Sequence, residues 1–275
     1  MSTSTDSMLA LLKRAQENQQ RKSANSNTQS GKNRDIRKNT VTKSHGLTRA
    51  FYRFGLVEKR CMEALISKLH PMRTDNLQRL ELTAKEYSTA YGVSLTTAYR
   101  DIANAIDTLL EQVITADLDD GKDGEKIRFN LMDFAEYRAS EGRIVCGFTY
   151  TAMPLLTGLT SQFSSYPLGK AVNFKSSYTW RFYELLVSWA KPKELEGRFG
   201  GWIKHQSVDE LRGMLGVPRS YRWVNVQRVL EKAIQEMEKE LNVSVFIERK
   251  KTGRKITHMD IQFIENEKQP DSLVA

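Results

Sequence analysis

The chain has 275 residues and a formal net charge of +9, enough length for two domains that each bury a core and enough charge to predict a polyanionic partner. Its longest apolar-rich run, 144–156, is too short and too interrupted to cross a bilayer, and no secretory signal is visible. Two cysteines, Cys61 and Cys146, supply neither a metal spacing nor a disulfide framework, so a reduced, cytoplasmic setting is expected.

Residues 1–45 hold nine Lys and Arg against three Asp and Glu, and few large apolar residues follow Leu12. Such a composition cannot bury enough surface to offset the entropy of ordering, so a disordered basic leader is expected, with a short amphipathic turn of helix at 8–12 at most. Order is expected from Leu47. The apolar stripe Val57, Cys61, Leu65, Ile66 and Leu69 predicts a helix, and Leu80-Glu81-Leu82 a short strand. Thr83 with Glu86 forms a capping box that opens a helix ending at Gly92. A longer helix over 94–113 turns Tyr99, Ile102, Ala105, Ile106, Leu109 and Val113 inward. Strands are expected around 126–131 and 143–150, beyond an acidic loop at 117–125. Pro154, Pro167 and several Gly and Ser mark 154–173 as a connection between a first domain, 46–153, and a second, 174–265. A tail, 266–275, completes the chain.

In the second domain, Trp180, Tyr183, Leu186, Val187 and Ala190 form the inward stripe of a helix over 177–190, and 202–205 reads as a strand. The stretch 207–237 then predicts two helices joined at Leu215-Gly216-Val217, the second opened by Pro218, whose missing N–H costs nothing there. On that second helix Trp223, Val226, Leu230, Ala233, Ile234 and Met237 fall on one face, and Tyr221, Arg222, Asn225, Arg228 and Lys232 on the other. A hairpin with Lys250, Lys251, Thr252 and Gly253 at its turn follows.

Moving the sequence by 124 positions lays Thr83 on Ser207, Glu86 on Glu210, Tyr91-Gly92-Val93 on Leu215-Gly216-Val217, and Ile102, Ala105, Ile106 and Leu109 on Val226, Val229, Leu230 and Ala233. Cap, turn glycine and core face coincide without a gap. Each half therefore reads helix, strand, helix, turn, helix, hairpin. That order predicts an α+β protein of two tandem winged-helix domains related by internal duplication.

A helix entered through a glycine turn, with an apolar back and a basic, amide-bearing front, suits the major groove of double-stranded DNA. The expected contacts are Arg219, Ser220, Tyr221, Arg222, Asn225, Gln227, Arg228 and Lys232, with Arg249, Lys250, Lys251 and Arg254 of the hairpin on phosphate. In the first copy Thr97, Ala98, Asp101 and Asn104 stand where the second has Tyr221, Arg222, Asn225 and Arg228, and its hairpin is bordered by acidic residues. The first module is thus expected to bind DNA more weakly, through Ser94, Thr96, Thr97, Arg100 and Asn104, and to serve association. The blander reading of the same face is a solvated helical hairpin. Enzymatic readings find little support: His45, His70, His205 and His258 make no metal or nucleophile–base spacing, and neither a phosphate-binding glycine loop nor a paired-histidine nicking motif is present. No cofactor is expected.

The run Ser177-Tyr178-Thr179-Trp180-Arg181-Phe182-Tyr183-Glu184-Leu185-Leu186, then Leu215-Gly216-Val217-Pro218, Ser220-Tyr221, Arg228-Val229-Leu230 and Ile247-Glu248-Arg249-Lys250-Lys251-Thr252-Gly253-Arg254, resembles the iteron-binding plasmid replication initiators. The likeness covers 175–263 in residues and the first module in pattern. The stretch 221–230 is shorter than in that family, with Arg228, preceded by Gln227, where a basic cluster is usual. The resemblance implies monomers on repeated origin sequences, dimers formed through the first module that repress their own promoter, and host partners: an initiator ATPase, the replicative helicase and chaperones. The rival reading is a winged-helix regulator of transcription with no part in replication.

Overall fold

A computed structural model describes residues 35–72, 79–117 and 126–266, and its elements from Ile36 onward form one compact unit. The 8–12 patch, nearly all of the acidic loop and the tail past Asn266 lie outside the described residues. Order begins earlier than the composition suggests. A single 3-10 turn at Ile36–Lys38 leads into β1 (Thr40–Ser44) and a short α1 (His45–Arg49), which Ser44 caps by accepting from the Leu47 N–H.

The first module follows as α2 (Leu56–Ile66), β2 (Leu80–Thr83), α3 (Ala84–Tyr91) and α4 (Leu95–Glu111). Both halves of the Thr83–Glu86 capping box are formed, and Gly92 ends α3 in the left-handed region at φ 63°. Next come β3 (Val113–Asp117), β4 (Lys126–Asn130), β5 (Met132–Arg138) and β6 (Arg143–Phe148). Two expectations are corrected here. Val113 is not the end of a helix but the start of β3, which pairs with β4 as a separate ribbon. The wing is instead β5–β6, which joins β2 in a sheet ordered β2-β6-β5. The strand β5 escaped the periodicity because a register shift between Met132 and Phe134 interrupts its alternation, leaving the consecutive residues Phe134 and Ala135 both half-buried.

The expected connection, 154–173, contains β7 (Phe163–Pro167), which runs antiparallel to β1 from Ser44↔Phe163 to Thr40↔Pro167. Beyond it lie α5 (Ser177–Trp189), β8 (Gly200–Ser207), α6 (Val208–Leu215), α7 (Trp223–Leu241), β9 (Val243–Thr252) and β10 (Lys255–Glu265), with a second sheet ordered β8-β10-β9. Each module thus pairs its first strand with its last, the last lying in the middle. The duplication holds in three dimensions: α3 and α6 both span eight residues, sit 124 positions apart and end on a left-handed glycine.

At the next helix the copies part. Ser94 caps α4 by accepting from the Thr97 N–H, whereas α7 begins only at Trp223, one turn later in the repeat frame. Pro218 stands at the Ser94 position and has no hydroxyl to offer, so 218–221 is a loop rather than the opening of a helix.

The centre of the molecule is α5, buried on all sides from Thr179 to Leu186. Trp180, Phe182, Leu185 and Leu186 are wholly inaccessible, each contributing roughly 1.5–3 kcal/mol by leaving water. The same helix carries Arg181 and Glu184 into the interior, where α2 and β1 meet it with opposite charge. Lys59 reaches Glu63 at 2.6 Å and Glu184 at 2.7 Å, and Lys43 reaches the same two at 2.9 and 2.5 Å. Tyr166 of β7 donates to Glu184 at 2.8 Å and accepts from the Trp180 indole at 2.9 Å. Burial alone would raise the Glu184 carboxyl, but Lys43, Lys59 and Arg181 outweigh it and hold the group well below the ordinary carboxylate range.

Candidate nucleic-acid interface

Everything that presents α7 is anchored at the end of α6. Gly216 takes φ 70°, and a Cβ there would lie 2.6 Å from the Tyr52 carbonyl oxygen, so the turn admits glycine both for its backbone and for the close approach of 52–53. From α5, the Arg181 guanidinium donates to the Met214 carbonyl at 3.0 and 2.6 Å, to the Ala50 carbonyl at 2.9 Å and to the Tyr52 hydroxyl at 2.6 Å. A cation on the last carbonyls of a helix satisfies acceptors that have no partner within it. Arg212 does similar work for the loop after the turn. It donates to the carbonyls of Pro218 at 3.4 Å, Arg219 at 3.1 Å and Tyr221 at 2.6 Å. Neither arginine was expected to matter, because a single basic residue on an amphipathic helix carries no signal of what lies across from it.

On α7 the inward stripe is Val226, Leu230, Ala233 and Met237, all buried, with Ile234 and Trp223 half-buried beside it. Arg228 and Lys232 are exposed on the opposite side, and the N-cap Arg222 and the loop residues Arg219 and Ser220 are exposed as well. Asn225 flanks that face, half-buried. Two of the expected contacts are engaged elsewhere. Tyr221 packs partly against the core from the loop, and the Gln227 amide donates to Glu231 at 2.7 Å one turn along the helix.

The wing turns through the two residues Gly253 and Arg254, between Thr252 and Lys255, with Gly253 at φ 60°. A two-residue hairpin turn needs that left-handed conformation. Lys251 and Arg254 are exposed near and at the tip. Arg249 leans on Glu231 of α7 at 3.9 Å, and Lys250 pairs with Glu248 at 2.5 Å and Asp260 at 3.6 Å, an arrangement that raises the lysine's pKa chiefly through the Glu248 hydrogen bond. The four expected wing contacts therefore divide into two directed outward, Lys251 and Arg254, and two held by carboxylates, Arg249 on α7 and Lys250 within the hairpin; Lys255 is exposed beside the tip as well.

In the first module Ser94 and Thr97 serve the helix cap, their hydroxyls 2.9 Å apart, while Thr96, Arg100 and Asn104 are exposed. Arg100 lies 3.5 Å from Asp101. Ala98 and Asp101, expected outside, are buried, and the Tyr87 hydroxyl donates to Asp101 at 3.4 Å. Tyr99, expected inside, is 39 % exposed and covers Gly142 in the β5–β6 turn. The true wing of this module is compensated rather than acidic: Arg138 meets Glu136 at 3.0 Å, and Arg143 meets Glu81 at 2.9 Å and also Glu141.

Among the described residues no group of three or more His, Cys, Asp or Glu is placed to hold a metal ion, and no helix is long and apolar enough to cross a membrane. Cys61 and Cys146 are free and buried, and burial pushes the Cys146 thiol up to about 12.

Comparison with known proteins bears on this architecture. The family description "Initiator Replication protein, WH1" matches residues 40–187, and "Initiator Rep protein, WH2" matches 207–263. Among solved structures, the Pi initiator protein in complex with iteron DNA is similar in fold, with a TM-score of 0.67 and 22% identity over 84% of this chain and 99% of that one. The WH1 domain of MSBI1.176, a replication protein isolated from a multiple sclerosis patient, matches at 16% identity over 37% of this chain and 75% of that one, with a TM-score of 0.27, too low to carry weight. No curated protein matches the sequence.

Proposed function

The chain belongs to the initiator replication protein family, and from that premise we propose that it starts plasmid replication by binding repeated origin sequences, with α7 in the major groove and the β9–β10 wing on the flanking backbone. The observation that carries this reading is the presentation of α7. Buried Arg181 fixes the end of α6 and half-buried Arg212 fixes the loop that enters α7, whose N-cap Arg222 and outward Arg228 and Lys232 are exposed, and Lys251 and Arg254 extend from the same module. Arg219, Ser220, Arg222, Asn225 and Arg228 are assigned to base edges or the adjacent backbone, and Lys232, Lys251 and Arg254 to phosphate. Tyr221, Gln227, Arg249 and Lys250 support the reading face rather than forming it. The first module adds a weaker footprint through Thr96, Arg100 and Asn104, and associates copies into a dimer that represses the protein's own promoter. Recruitment of a host initiator ATPase, helicase and chaperones completes the proposal.

The test supplies this gene and its cognate origin on a plasmid that cannot otherwise replicate. Stable maintenance that depends on both is the expected result. Loss of the plasmid, together with binding confined to a single promoter operator, would replace the proposal with a purely transcriptional regulator.

A further inference from the structure

The outermost line of α7 begins with a residue that neither charge nor hydrogen bonding explains. Val224 is the second residue of the helix, two positions after the N-cap Arg222 and four before Arg228, and it is 44 % exposed. Among the described residues of α7 it is the one large apolar side chain in that state; the others face the core or its margin. A β-branched residue has no intrinsic advantage in an exposed first turn. Around it on the helix surface lie Asn225, Gln227 and Arg228, with the Gln227 amide held by Glu231, a polar surround that suits the edge of a base pair better than an apolar protein surface.

The major groove offers a single apolar group on its base edges, the thymine 5-methyl. Residues in the first turn of a recognition helix are the ones that reach base edges. Resting on the assignment of α7 to the groove, we infer that Val224 packs against a thymine 5-methyl of the origin repeat and selects A·T at that position, with Asn225 and Arg228 reading its neighbours. In the first module Arg100 stands at the matching place of the repeat, and the exposed apolar residue of the first turn of α4 is Leu95, which lies five positions earlier in that frame.

The experiment uses the full chain and a duplex carrying one repeat from its own origin, with each thymine replaced in turn by uracil, which removes only the methyl. Wild-type protein should lose affinity about fourfold at one thymine, the worth of one buried methyl group. Val224→Ala should weaken binding to the unsubstituted duplex by a similar factor and abolish the uracil penalty there; Val224→Thr, which keeps one methyl, should fall between. A wild-type profile with no uracil-sensitive position overturns the inference without reference to any variant. So does a penalty that persists undiminished in Val224→Ala. If wild-type protein instead prefers no origin repeat over scrambled duplex, the assignment of α7 to the groove has failed, a distinct result.

Discussion

Arg228 leaves the outward face of α7 directly below Val224, while Lys251 leaves β9 one residue short of its end at the hairpin turn. Both are exposed cations, but their surroundings give them different work. A guanidinium on a fixed helix can hold both acceptors of one guanine edge, whereas an ammonium on a flexible stem at a strand tip acts as a point charge on phosphate. Replacing Arg228 by Ala should therefore cost about 1–3 kcal/mol on the origin repeat and much less on scrambled DNA. Replacing Lys251 by Ala should weaken both duplexes alike and flatten the slope of log affinity against log salt by about one unit. Titrations by fluorescence anisotropy at several salt concentrations separate the two. Equal losses on both duplexes from Arg228→Ala would remove it from base reading. Arg249 and Lys250 lie close to Lys251 in sequence, yet their bonds to Glu231, Glu248 and Asp260 predict smaller effects on binding.

The helix–turn–helix is the element in which local sequence and tertiary contact are most tightly joined. Gly92 and Gly216 occupy the same place in the two copies, with φ 63° and 70°, but only Gly216 faces another backbone. Gly92→Ala meets nothing within 4 Å and should cost only the left-handed backbone penalty, about 1–2 kcal/mol. Gly216→Ala adds a clash with the Tyr52 carbonyl and should be the more destabilising, shifting the loop that Arg212 holds. Urea unfolding of the two variants decides the matter, and equal losses would mean that the approach of 52–53 is slack. This element also shows what a sequence can disclose. Thr83, Ser207 and the two glycines act through residues three to eight positions away, so cap, turn and core face were legible. The start of α7 was not, because Pro218 suits the first turn of a helix as well as a loop, and the loop is held by side-chain bonds from Arg212 to the carbonyls of Pro218, Arg219 and Tyr221 that no residue pattern announces. The first module's wing was misplaced for a related reason. An inserted ribbon, β3–β4, offers the same alternation as a wing, and only the pairing of β6 with β2 tells them apart. Likewise β1 looked like part of a polar leader, since its partner β7 lies more than a hundred residues away.

At the scale of the whole molecule, the cluster of Lys43, Lys59, Glu63, Glu184, Tyr166 and Arg181 gathers β1, α2, β7 and α5 around one point, and Arg181 carries it on to the end of α6. It therefore links the frame of the first module to the turn that precedes α7. The energetic character of such a cluster is asymmetric: replacing all of it with apolar residues can be neutral, but removing one member leaves a charge stranded in the interior. Lys59→Met deprives both Glu63 and Glu184 of a contact shorter than 2.8 Å and should cost about 3–5 kcal/mol. The pH dependence has a defined sign. Because the folded protein holds the Glu184 carboxyl well below its unfolded value, its contribution is present above about pH 4.3 and is lost as the pH falls toward the folded pKa. Lys43 is shifted the other way: burial would lower it, but Glu184 and Glu63 prevail and raise it, so its contribution is complete below about pH 10.4 and is lost only in strong alkali. Wild-type protein should accordingly hold its stability across the neutral range and lose it on acidification below about pH 4.3, whereas Lys59→Met, with Glu184 less strongly held, should unfold at a higher pH. Acid titrations followed by circular dichroism, with urea midpoints at neutral pH, measure both quantities. Coincident acid transitions for the two proteins would show that the cluster does not govern acid stability, and an unchanged urea midpoint would show that the buried carboxylates manage without Lys59.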